Sequence, residues 1–201
     1  MRLLPSGAVQ FSATDLTNHL ACEHLTAQRR GIALGERPRP RPHEDPHAEL
    51  IRRRGEEHEA EQLARFIDEA GGDWVDLRGT EAPATADAMR RGTRLLYQPS
   101  FVHGSWHGYP DFLRRVEYAL DGYHPVYEVL DTKLSRQVKP HVVHQLCLYN
   151  ALVAEVQGQL VDHAWVVLGD GRHHRIQTSR FAALHRRAAA RLERELSLIH
   201  I

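Results

Sequence analysis

Tyr127-Glu-Val-Leu-Asp131-Thr-Lys133 is the stretch on which the reading of the fold turns. Aromatic, β-branched and apolar residues fill it, as in a strand. Alternation puts Tyr127, Val129, Asp131 and Lys133 on one face, and Glu128, Leu130 and Thr132 on the other. An acid and a lysine side by side at the end of an otherwise apolar strand are costly to desolvate unless they serve each other or a ligand. Taken alone, Asp-x-Lys is more simply read as a plain surface salt bridge, since a three-residue pattern is cheap. Residues 106–116 form a second predicted strand, and Asp121-Gly122 offers a tight turn between the two, so the pair reads as an antiparallel hairpin. The hairpin is expected to bring Asp111, which follows Gly108-Tyr-Pro110, opposite Asp131.

Outward from this hairpin, residues 93–101 are a further β-rich run. Pro140 is a good first residue for a helix that stops at Gly158. Residues 164–168 are a short apolar strand, with a turn at Gly169-Asp-Gly171 and a return strand over 173–177. A basic amphipathic helix covers about 179–195. On the other side, residues 85–91 read as a short helix closed by Gly92, and a long helix over 47–70 stops at Gly71-Gly72. At about 100° per residue, its inward stripe holds Ile51, Gly55, His58, Gln62 and Phe66. Phe11-Ser-Ala-Thr-Asp15-Leu16 is a helix start, with Ser12 as cap, Asp15 three residues on, and Phe11 and Leu16 placed to staple. That helix is predicted to run to about residue 30. Residues 37–46 hold four prolines and three arginines, a stiff exposed connector. The order describes an α/β protein with a mixed central sheet flanked by helices and an N-terminal helical region.

The composition is that of an ordinary globular chain: 201 residues, 42% apolar, with 26 basic and 26 acidic side chains. A formal charge of zero excludes holding nucleic acid by bulk charge, though not by a local basic groove. No apolar run is long enough to span a bilayer, so no membrane partner is expected. The first ten residues lack the apolar core of a signal peptide. Two cysteines make no disulfide framework, and a cytoplasmic chain is the simplest expectation. The fifteen histidines are scattered, without the spacing of a closed zinc site.

Asp111 and Asp131 offer only oxygen ligands, which suit Mg²⁺ or Mn²⁺. Such an ion lowers the pKa of a bound water and neutralises charge on a scissile phosphate, and a neighbouring lysine steadies the charge that develops. Gln145 and Tyr149, four residues apart, share a helix face. They offer hydrogen bonds and a ring to a nucleic-acid strand near the metal, or serve as a half-buried helix face. His58 is likewise a ligand candidate or an ordinary core histidine.

Four motifs follow one another in order: Gly55-Glu-Glu-His58, Pro110-Asp111, Asp131-Thr-Lys133 and Gln145-Leu-Cys-Leu-Tyr149. With flanking stretches such as Ser12-Ala-Thr-Asp15, Cys22-Glu-His24, Ala88-Met89, Tyr97-Gln98 and Gly169-Asp-Gly171, the chain resembles the RecB-like nuclease family of the PD-(D/E)XK superfamily over about residues 11–194. The resemblance implies a restriction-endonuclease-like core over 46–195, preceded by a helix and connector over 1–45. It implies that His58, Asp111, Asp131 and the Thr132 carbonyl hold Mg²⁺ or Mn²⁺. Lys133 becomes the catalytic lysine, and Gln145 and Tyr149 orient substrate and ligands. Glu59 is a candidate accessory acid, although helix geometry turns it about 100° from His58. The expected activity is hydrolysis of DNA, single-stranded or at ends, in repair, recombination or defence. The alternatives are an inactive nucleic-acid-binding module of a helicase-nuclease, and a histidine-based metal or structural protein.

Some relatives carry an iron–sulfur cluster on four thiolates. Here Cys22 stands in the early position without a late trio, so no cluster is expected. Leu196-Ser-Leu-Ile-His-Ile201 breaks the charged helical pattern and matches the peptide that a sequencing-library transposon end encodes in frame. Residues 196–201 are therefore read as non-native, the tail of a nuclease module from a longer protein joined to a helicase or an RNase-H-like domain.

Overall fold

The computed structural model describes residues 1–41, 45–116 and 124–197. In chain order the elements are β1 (Arg2–Leu3), β2 (Val9–Gln10), α1 (Ala13–Ala21), α2 (Glu23–Ala33), α3 (Pro46–Glu69), β3 (Trp74–Asp76), α4 (Ala82–Arg91), β4 (Leu95–Tyr97) and β5 (Phe101–His103). They continue with β6 (Trp106–Gly108), β7 (Phe112–Val116), β8 (Val126–Lys133), α5 (Pro140–Gln157), β9 (Ala164–Leu168), β10 (His173–Ile176) and α6 (Ala182–Ser197).

Six strands form one sheet in the order β10-β9-β8-β7-β4-β3. β8 pairs antiparallel with β7 and parallel with β9, so the sheet is mixed. Parallel neighbours need a crossover, and α5 supplies it between β8 and β9, as α4 does between β3 and β4. The chain is thus α/β, a mixed six-stranded sheet flanked by helices. Every residue of β8 from Val126 to Thr132 is buried, as a central strand covered on both faces requires. Tyr127 and Val129 pack with Leu113, Val166 and Leu168 against Leu146 and Val153 of α5. On the opposite face, Leu130 packs with Phe112, Tyr97 and Val167 against Phe66 of α3. α1 and α6 meet outside α5, where Phe11 and Leu16 share an apolar cluster with Ala188 and Leu192.

Ser12 caps α1 with a full capping box through Asp15, as its sequence foretold. The helix does not run on to residue 30, however. It breaks at Cys22, whose backbone is extended (φ −162°, ψ 109°), and α2 sets off in a new direction. The break lets α1 lie along α5 and α6, and the buried His19 ring bonds Thr26 across the joint at 3.2 Å. The 93–101 run divides at Gln98-Pro99 into β4 and β5, and the 106–116 run divides at Tyr109-Pro110 into β6 and β7. Prolines cannot donate to a ladder, and both interruptions coincide with one. β3, unforeseen in sequence, adds a parallel edge strand beside β4. On α3 the inward stripe holds for His58, Gln62 and Phe66, but Ile51 is exposed because the first turns of the helix project past the sheet. Residues 121–122, where the hairpin turn was placed, lie outside the described residues; the antiparallel pairing of β7 and β8 stands without them.

Beyond β8 the chain crosses Gly169 at very close range. A β-carbon there would stand 2.2 Å from the Leu134 carbonyl oxygen and 2.8 Å from its carbon. Gly169→Ala is expected to push the segment after Lys133 aside and lower unfolding free energy by about 1–3 kcal/mol in urea titration. An unchanged urea midpoint would mean that this close approach yields without cost.

Candidate active site

β8 delivers Asp131 to a place with no solvent exposure. The Lys133 ammonium, two residues on and on the same face, donates to Asp131 Oδ2 and also to the Thr132 carbonyl at 3.0 Å. This is no surface salt bridge. Burial pushes the Asp131 carboxyl up most, the nearby Asp111 charge pushes it further, and Lys133 pulls it back, leaving it at about 7. For Lys133, burial acts downward, but Asp131 and Asp111 outweigh it and raise the ammonium above its usual range. Both shifts point upward, so the pair holds its proton more firmly than either group would in water.

Asp111 arrives from the neighbouring strand. The register pairs Phe112 with Leu130, and one more step sets Asp111 across from Asp131. Its Oδ2 accepts two hydrogen bonds from Thr132, from the backbone N–H and from Oγ1, each 2.7 Å. The Thr132 side chain, on the α3 side of the sheet, therefore orients the carboxylate that flanks Asp131.

α5 covers the Asp131 face. Gln145 Nε2 donates to the Tyr149 hydroxyl at 2.9 Å and lies 3.5 Å from Asp131 Oδ1. The expected pair therefore does share a face, and that face is turned to the acid. Tyr149 fits only because Gly108 has no side chain: a β-carbon there would stand 2.8 Å from the ring. Burial, then the Asp131 charge, push the Tyr149 hydroxyl well above its usual range, so it stays protonated.

His58 is buried on α3, with Nε2 3.5 Å from the Val167 carbonyl. Val167 is the strand partner of Thr132, so His58 stands at the level of the acids but against the other face of the sheet. Glu59 is the residue that sequence geometry turned away and the structure brings in. The two adjacent residues of α3 reach different targets, His58 the Val167 carbonyl and Glu59 the residue that follows β4. Glu59 Oε1 accepts from Gln98 Nε2 at 2.6 Å, and the Tyr97 hydroxyl bonds the same carboxyl. Burial, then the Asp111 charge, raise the Glu59 carboxyl. Its charge is also felt at Asp131 and Lys133. The one signal in the sequence was adjacency to His58; Tyr97 and Gln98 carried no assigned role.

Glu59, Asp111, Asp131 and Lys133 thus form one electrostatic unit, three carboxyls against one ammonium. Among the described residues no three His, Cys, Asp or Glu side chains surround a common point. Lys133 engages Asp131, Thr132 engages Asp111 and Gln98 engages Glu59. No helix of the described residues is long and apolar enough to cross a membrane. Set against protein-family models and against curated proteins, the chain matches none.

The raised Asp131 carboxyl has a signed consequence. Its folded-state pKa lies above the ordinary value of 3.8, so its contribution to stability is complete below about pH 4 and is lost as pH rises through about 7. His107, His144, His173 and the buried His185 are shifted downward, chiefly by partial or full burial, and act in the opposite sense, losing stability as pH falls. The informative quantity is therefore the difference between wild type and Asp131→Asn in a chelating buffer. Between pH 4 and 7 the variant is expected to gain on wild type, by at most roughly 1.4 kcal/mol per pH unit. Parallel stability curves over that window would contradict the placement of this carboxyl.

Proposed function

We propose that this chain is a Mg²⁺- or Mn²⁺-dependent nuclease of the PD-(D/E)XK type, in the RecB-like branch, acting on single-stranded DNA or DNA ends. The observation that carries the reading is the buried Asp131, joined to Lys133 on its own strand and faced by Asp111 across the β7–β8 pair. The donor set fits a hard divalent cation: oxygens of Asp111, Asp131 and the Thr132 carbonyl, in a cluster whose carboxyls outnumber its ammonium. When bound, the ion supplies a Lewis acid that activates water and offsets phosphate charge. Asp111, Asp131 and the Thr132 carbonyl would hold the ion, next to the Lys133 ammonium.

The remaining work falls to the chain's own groups. Lys133 places a positive charge beside the reacting phosphate, in a half-dry site where it acts more strongly than in water. Gln145 and Tyr149, already bonded to each other, present an amide and a protonated hydroxyl to the substrate or to the ligands. His58, at the level of the acids but against the other face of the sheet, would be the further candidate ligand. A chain of zero net charge holds DNA through such local contacts, not through bulk attraction.

The test is direct incubation of the purified chain with single- and double-stranded DNA and RNA, in Mg²⁺, Mn²⁺ or EDTA. Cleavage of single-stranded DNA is expected in Mn²⁺ or Mg²⁺ and not in EDTA. Asp131→Ala and Lys133→Ala are each expected to cut the rate about 100- to 1,000-fold. Arg52→Ala, exposed on α3 and paired among the described residues with Glu49 and Glu56, should leave it unchanged. Tight binding without cleavage in either metal would make the chain a nucleic-acid-binding module instead.

A further inference from the structure

Among the described residues, Gln98 is the one non-glycine residue in the left-handed region, with φ +46°. That conformation crowds a β-carbon, and glycine adopts it freely. Pro99 adds to the oddity, because a following proline steers the preceding residue toward extended backbone. Such a conformation persists only where the surroundings over-determine it. Two bonds do so here. The Gln98 N–H donates to the Asp111 carbonyl at 2.8 Å, and Gln98 Nε2 donates to Glu59 Oε1 at 2.6 Å. One residue thereby ties α3 to the loop that carries Asp111.

The backbone turn alone does not explain a glutamine. Glycine would make the turn with less strain and keep the N–H bond to Asp111. Asparagine tolerates positive φ better but is one methylene shorter. What only glutamine supplies is an amide at the reach of Glu59. We infer that Gln98 is a positioning residue, whose left-handed turn aims its amide at Glu59 and fixes that carboxylate beside Asp111, Asp131 and Lys133, where it strengthens the hold on a divalent cation. The inference rests on the nuclease reading for the identity of the cation. It extends the acid set beyond the Asp-Asp-Lys trio and gives Glu59 a place in it.

The test compares wild type, Gln98→Gly, Glu59→Gln and the double variant by three readouts: melting in EDTA, Mn²⁺ titration by calorimetry, and DNA cleavage. Gln98→Gly is expected to melt no lower than wild type while its Mn²⁺ dissociation constant rises about tenfold or more, as for other groups that orient metal ligands. Glu59→Gln should weaken Mn²⁺ binding similarly, and the double variant should be no weaker than Glu59→Gln alone. Wild-type Mn²⁺ affinity in Gln98→Gly would overturn the inference, as would additive losses in the double variant. A fall in melting temperature together with affinity would also overturn it, by making Gln98 structural. A wild type that binds no Mn²⁺ overturns it outright. If wild type binds Mn²⁺ but cleaves no nucleic acid, the nuclease reading fails by itself, and the affinity ratios still decide for or against Gln98.

Discussion

Asp131 carries a carboxyl into a position without solvent exposure, and an uncompensated charge in such a place costs several kcal/mol. The neighbouring groups answer that cost one by one. Lys133 bonds one oxygen, Gln145 approaches the other, and Thr132 turns Asp111 so that its charge lies close but is itself held by two donors. The result is a pair that keeps its proton and a cluster with more acid than base. A divalent cation, as proposed, is a partner that such a cluster of oxygen donors suits.

The architecture serves that one position. β8 is central, so Asp131 is closed off by β7 and β9 at its sides, by α5 above and by the α3 face below. Two glycines let the walls come close: Gly108 admits the Tyr149 ring, and Gly169 admits the Leu134 backbone just after Lys133. α3 packs on the sheet through Phe66, and two of its adjacent residues reach different targets. His58 meets the Val167 carbonyl, and Glu59 meets Gln98 beyond the strand ends.

Much of this was legible in the residues. Period-two alternation put Asp131 and Lys133 on one face, and the hairpin register put Asp111 opposite. The four-residue spacing of Gln145 and Tyr149 placed them together on α5. Those features are local or one turn away, so strand and helix periods determine them. The features that escaped are set by tertiary geometry. A helical wheel gives the direction of Glu59 relative to its own axis, not where α3 passes the sheet. Cys22 has no proline or glycine to announce a break, and the break follows from the need to dock α1 on α5 and α6. The left-handed turn at Gln98 runs against the preference of a residue before proline, so no sequence rule would have proposed it. Ile51 fits the apolar stripe of α3 and is exposed only because the helix outruns the sheet.

The proposed cation would sit between Asp111 and Asp131, and anomalous diffraction from Mn²⁺-soaked crystals measures that seat directly. One strong peak is expected at roughly 2.0–2.3 Å from carboxylate oxygens of both residues, with Lys133 displaced from Asp131. Peaks confined to surface histidines, with the Asp131–Lys133 contact intact at saturating Mn²⁺, would contradict it.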